Sequence, residues 1–161
     1  MVIKTLDILI VDDDELNCEL LKRRLEVDDH HITAVTTGTE ALETLHKEKF
    51  DLVLLDITLP DINGVEVLKT IKKDPELDST QVMMFTANGD REMVLRCIDA
   101  GAIDYLTKPF SLLLVKLRVW RSLKNTSIQT KENDPVDSKI LLIDDQELNR
   151  DVLAHRLTKC G

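Results

Sequence analysis

Residues 50–64 read FDLVLLDITLPDING. The apolar run is short and ends sharply at Asp56, so Phe50–Asp56 reads as a strand buried on both faces of a parallel sheet. Pro60, Asp61, Asn63 and Gly64 then form a loop, after which Val65, Val67, Leu68 and Ile71 open a helical pattern that Asp74 and Pro75 end. The same alternation extends outward from this unit. Leu6–Val11 is a strand, followed by a helix over Glu15–Leu25 with Leu16, Leu20, Leu21 and Leu25 at helical spacing. Ile32–Val35 precedes a helix that Gly38 and Thr39 open and that runs to about Lys47. Gln81–Thr86 precedes a helix over Arg91–Ala100 closed by Gly101, and Asp104–Thr107 precedes one over Ser111–Lys124 with Ser111 as its N-cap. Five strand–helix units in strict order predict an α/β fold, a doubly wound five-stranded parallel sheet with helices on both faces.

Charged residues stand where these apolar runs stop: Asp12 and Asp13 after the first, Asp56 after the third, Lys108 after the fifth. The carboxyl ends of parallel strands share one edge of the sheet, and ligands bind there in open α/β sheets. Three carboxylates gathered at that edge repel one another unless a divalent cation lies between them, and hard oxygen ligands suit Mg²⁺. The pattern predicts a metal-assisted phosphoryl site with a phosphorylatable aspartate. An acidic run ahead of a helix also serves simply as an N-cap, and Asp14 is assigned that role.

Composition narrows the alternatives. The 161 residues carry a formal charge of −9, with basic residues scattered among acids, so the stripe expected of a direct nucleic-acid binder is missing. No apolar stretch approaches the roughly 20 residues that span a bilayer, which excludes a membrane role and leads to an expected cytoplasmic location. Cys18, Cys97 and Cys160 are odd in number and widely spaced, as reduced small hydrophobes are.

From Asn125 to Lys139 the chain turns polar, as a linker does. Beyond it ILLIDDQELNRDVLAHRL (140–157) repeats ILIVDDDELNCELLKRRL (8–25), with Asp144 standing to Asp12 and Leu157 to Leu25 at one offset of 132 residues. The gapless repeat of a strand, an acidic loop and a helix indicates duplication. The second copy has no counterpart of Asp56, Thr86 or Lys108. The expected organisation is a domain over 1–124, a linker over 125–139 and the first strand and helix of a second, incomplete copy over 140–161. Leu148, Val152, Leu153, Leu157 and Cys160 form an apolar stripe on the tail helix, predicting that it packs on the fifth-helix side of its own domain or swaps into a homodimer. The abrupt end at Cys160 and Gly161 fits a piece of a longer protein with tandem copies of the domain followed by an output domain.

These motifs in combination resemble the response regulator receiver domain of two-component signalling, of the chemotaxis-regulator type: the pair Asp12 and Asp13, Asp56 with Leu59, Pro60 and Gly64, Thr86 with Ala87, and Lys108 with Pro109. The resemblance covers about residues 5–124. It implies a flavodoxin-like strand order 2-1-3-4-5, Asp56 as phosphoacceptor, Asp13 as a direct Mg²⁺ ligand, Asp12 acting mainly through metal-bound water, and the backbone carbonyl of Thr58 completing the protein ligands. Lys108 then pairs with the phosphoryl oxygens, Thr86 bonds the same group, and Tyr105 moves with it, so that the surface of the fourth helix, fifth strand and fifth helix switches. The family also has a cis bond where Lys108 meets Pro109, and its phosphate lifetime depends on positions here occupied by Thr58 and Asn88. The implied partner is a sensor histidine kinase or a phosphotransfer protein, with no turnover of an external substrate. The competing reading is a non-phosphorylated scaffold or dimerisation module built on the same fold.

Overall fold

The computed structural model describes residues 5–87, 91–109, 111–125, 151 and 153–155. Its elements alternate as β1 (Asp7–Val11), α1 (Glu15–Glu26), β2 (His31–Val35), α2 (Gly38–Lys47), β3 (Leu52–Asp56), α3 (Gly64–Lys73), β4 (Gln81–Thr86), α4 (Arg91–Asp99), β5 (Asp104–Thr107) and α5 (Leu112–Asn125). The strands form one parallel sheet in the order β2-β1-β3-β4-β5. Both the expected class and the expected order are therefore found.

The pleat explains why the central strands are apolar throughout. Alternate side chains leave opposite faces: Leu9, Val11, Val53 and Leu55 join α2, α3 and α4 in one cluster, while Ile8, Ile10, Leu52 and Leu54 join α1 and α5 in another. β3 is buried along its whole length, whereas β2, at an edge, is largely uncovered. On α1 the buried stripe is Cys18, Leu21 and Leu25. Leu16 and Leu20, which the helical spacing also places on the packed face, are instead 62% and 47% exposed. The helix carries two adjacent apolar stripes and the sheet covers one of them.

Helix starts are set by side chains. Asp14 caps α1 by accepting from the N–H groups of Leu16 and Asn17, as expected of it. Thr37 caps α2 and Asn63 caps α3, residues that sequence reading passes over as loop. Asp61 tethers its loop to the start of α2. Its carboxylate accepts from the N–H groups of Gly38 and Thr39, each at 2.8 Å, across more than 20 residues of chain.

Hydrogen bonds from the Thr39 hydroxyl and N–H, and then those from Gly38 and Ile62, hold the Asp61 carboxyl well below the usual carboxylate range despite an opposing contribution from burial. A depressed folded-state pKa gives stability that is complete above the unfolded value and is lost as pH falls toward the folded one. Asp61→Asn is expected to lower Tm at pH 7, with the difference from wild type shrinking progressively as pH drops below about 4. Thermal scans across that range check this; a constant gap at every pH would contradict it.

The polar linker, the ILLI strand of the second copy and most of its apolar stripe lie outside the described residues. Asp151 and His155 are described, and they meet Arg91 and Asp99 of α4.

Candidate functional site

The first, third and fifth strands of the chain deliver their charged groups to the same edge, Asp12 and Asp13 from the first, Asp56 from the third and Lys108 from the fifth. Backbone pairing fixes the positions: the N–H of Asp12 bonds the carbonyl of Val35 at 3.2 Å, that of Ile57 the carbonyl of Phe85 at 3.0 Å, and that of Lys108 the carbonyl of Thr86 at 2.7 Å. The strand register is thus carried one residue past the sheet on every side of the site.

Asp56 stands at the centre, 4% exposed. Its Oδ1 accepts from the N–H of Thr58 at 3.0 Å, and its Oδ2 lies 2.5 Å from the Lys108 ammonium. That ammonium is also 2.6 Å from Oδ2 of Asp12. Asp12 is completely buried, its Oδ1 accepting from the N–H of Asp14 at 3.0 Å. Asp13 turns outward and is exposed, yet carboxylate oxygens of Asp12, Asp13 and Asp56 all lie within 4.8 Å of one another. Burial acts to lower the pKa of Lys108, but its hydrogen bonds and charge interactions with Asp12 and Asp56 together outweigh that and raise it. The lysine is therefore a fixed cation at neutral pH.

Three carboxylates against one ammonium leave an excess of two negative charges at the edge. Opposite ligands of an octahedral Mg²⁺ are about 4.2 Å apart, from metal–oxygen distances of about 2.1 Å. The three acids have nearly that spread already, and their donor atoms are all hard oxygens. The residues present fit a divalent cation of this kind.

The loop after β3 is held against the site by Gly64. Its N–H donates to the carbonyl of Ile57 at 2.8 Å, and a Cβ built on it would stand 2.0 Å from the carbonyl oxygen of Asp56. Only a residue without a side chain allows this approach. Thr86 and Tyr105 are both buried, at 4% and 6% exposure. Tyr105 pairs with Met84, and Thr86 follows Met84 by two residues along β4, so Thr86 and Tyr105 share the sheet face that carries α4. The bond between Lys108 and Pro109 is cis. Asn88 lies outside the described residues, and Thr58 is exposed beside Asp56.

The charged groups singled out in the sequence meet at one edge, but sequence reading misses two supports. The Cys18 thiol donates to the backbone carbonyl of Asp12 at 3.3 Å, and Gly64 sets the loop height. Burial, then the charge of Asp12, pushes the Cys18 thiol up to about 11, so it stays protonated. The sequence reads Cys18 only as a reduced small hydrophobe; nothing in its spacing signals the hydrogen bond.

A family model described as the response regulator receiver domain matches residues 8–119. Among curated proteins the chain is 33% identical over 132 residues to a cyclic di-GMP phosphodiesterase of Thermotoga maritima, covering 81% of this chain and 34% of that protein. It is 34% identical over 154 residues to the transcriptional regulatory protein ResD of Bacillus subtilis, covering 96% of this chain and 62% of that one. The chain thus spans between about a third and just under two thirds of these relatives. Among solved structures, a putative response regulator from Chloroflexus aurantiacus superposes with a TM-score of 0.71 at 33% identity, over 75% of this chain and 99% of the other. The BeF3-activated DrrB receiver domain gives 0.68 at 34% identity, over 75% and 99%. Family match, fold and the acid-and-lysine edge agree, and the chain belongs to the response regulator receiver domain family.

Proposed function

We propose that this receiver accepts a phosphoryl group on Asp56 from a phosphohistidine of a sensor kinase or phosphotransfer protein and passes the change to an output through α4, β5 and α5. The observation that carries this is the convergence of Asp12, Asp13 and Asp56 on a single edge with the Lys108 ammonium between Asp12 and Asp56. A carboxylate oxygen of Asp56 attacks phosphorus, an O–P bond forms, the P–N bond breaks, and its electron pair returns to the imidazole nitrogen of the donor. Asp12, Asp13, Asp56 and the carbonyl of Thr58 are the proposed Mg²⁺ ligands, Asp12 mainly through water. When bound, the metal supplies positive charge that offsets repulsion between the acceptor carboxylate and the anionic phosphoryl group. Lys108 exchanges its contact with Asp56 for the phosphoryl oxygens. Thr86 hydrogen-bonds the same group, and Tyr105, on the same sheet face, follows it.

On this reading the domain turns over no external substrate. The names of relatives include a phosphodiesterase and a transcriptional regulatory protein, and an output of either kind would lie in a domain joined to this one. Direct nucleic-acid contact is not assigned to the receiver itself, because its acidic composition opposes it. No helix among the described residues is long and apolar enough to cross a membrane, consistent with a cytoplasmic location. We assign residues 140–161 to the start of a second receiver on the strength of the repeat. A homodimer is the competing use of that segment.

Incubation with a phosphohistidine-bearing phosphotransfer domain and Mg²⁺ tests the reading. The expected result is a label that is stable in mild acid, sensitive to hydroxylamine, and absent from Asp56→Asn. Equal labelling of both proteins would overturn the assignment of Asp56, and no labelling of either from several donors would favour the scaffold.

A further inference from the structure

We infer that α4 is the docking surface for the helical residues 151 and 153–155 of this same chain, held there by an arginine–carboxylate pair and a carboxylate–histidine contact of opposite sense. Nε of Arg91, the first residue of α4, lies 2.9 Å from Oδ2 of Asp151. Oδ1 of Asp99, the last residue of α4, lies 2.5 Å from Nε2 of His155. Asp151 and His155 are four apart and lie on one face of their helix. The order of charge along α4 is base then acid, and along the tail acid then base. Reversing the tail would set Arg91 against His155 and Asp99 against Asp151, so the pairing fixes direction as well as place. Oδ2 of Asp151 is itself buried, without an aligned hydrogen bond, so that one oxygen is out of solvent where it meets Arg91.

The duplication gives an internal comparison. At the offset of 132 residues, Asp151 and His155 stand where α1 has Glu19 and Arg23. In α1 those two pair with each other, with side chains 54% and 75% exposed. The second copy keeps the order of charge but has shorter side chains at both positions, and these reach across to α4. Its Asp151 and His155 side chains are only 26% and 32% exposed. The same two positions therefore make a solvated pair in the first copy and an inter-element contact in the second.

On the function proposed above, displacement of α4 would have to compete with the docked tail, making the tail a restraint on the switch. Docking itself is independent of that reading and is tested with no phosphodonor present. Hydrogen exchange of the amides of residues 91–99 in the full chain is compared among wild type, the tail reversal Asp151→Arg with His155→Asp, and that reversal combined with Arg91→Asp and Asp99→Arg. Two partly exposed pairs predict α4 exchange about fivefold faster in the tail reversal, with wild-type protection restored in the combined protein. Unchanged exchange in the tail reversal would overturn the proposal, as would loss that the combined protein does not restore. Protection that falls on dilution would also overturn it, assigning the contact to two copies of the chain instead.

Discussion

Gly64→Ala is expected to destabilise the domain by about 3 kcal/mol or more, a loss typical of backbone collisions with no room to relax. The added methyl would meet the carbonyl oxygen of Asp56 at 2.0 Å, and the Asp56 carbonyl carbon and Ile57 Cα at 2.9 Å. All three are main-chain atoms at the end of a strand buried along its whole length, so neither side can give way without disturbing the sheet. Gly38 offers the contrast. A Cβ there meets a side-chain methyl of Val67 at 2.8 Å, and a smaller loss is expected of Gly38→Ala. Because the collision falls on the main chain of Asp56, any folded Gly64→Ala protein should also bind Mg²⁺ more weakly. Denaturant melts of both variants check the order; equal stability for wild type and Gly64→Ala would show that the loop is not held where it is described.

Lys108→Ala gives the second large effect, and its size should depend on metal. The lysine lies between two buried acids, Asp12 and Asp56, at 2.6 and 2.5 Å. Removing one partner from such a group leaves uncompensated buried charge, which costs about 3 kcal/mol or more where water is excluded. The Lys108 side chain keeps 21% of its exposure, so about 2 kcal/mol is the expected loss in EDTA once solvent screening is allowed for. Mg²⁺ should return most of it, since in the variant no ammonium competes for the same oxygens. The rise in Tm on adding Mg²⁺ should therefore be larger for Lys108→Ala than for wild type. An equal rise in both would separate the lysine from the cation site.

Much of this is legible in the sequence, for a physical reason. A parallel sheet covered on both faces needs uninterrupted apolar strands, so the sharp end at Asp56 marks both a strand terminus and a sheet edge. Periodicity was less informative where two answers satisfy it. Leu16 and Leu20 repeat at helical spacing as well as Cys18, Leu21 and Leu25 do, and only packing decides that the latter are covered. The strand order came from family resemblance, since spacing alone does not order strands. Asp61 and Gly64 read as loop formers, but their work is at a distance: one caps a helix more than 20 residues earlier, the other lets a loop touch Asp56. Such contacts leave no local signal. For the tail, the apolar stripe predicts packing through residues that mostly lie outside the described ones, and the charged contacts of Asp151 and His155 with α4 have no signal in that stripe.

The most direct test of the phosphoacceptor is intact mass after incubation with acetyl phosphate, with and without Mg²⁺, for wild type and Asp56→Asn. The account predicts a gain of one phosphoryl group, about 80 Da, in wild type with Mg²⁺ and in no other sample. A gain that survives Asp56→Asn, or that needs no metal, would contradict it.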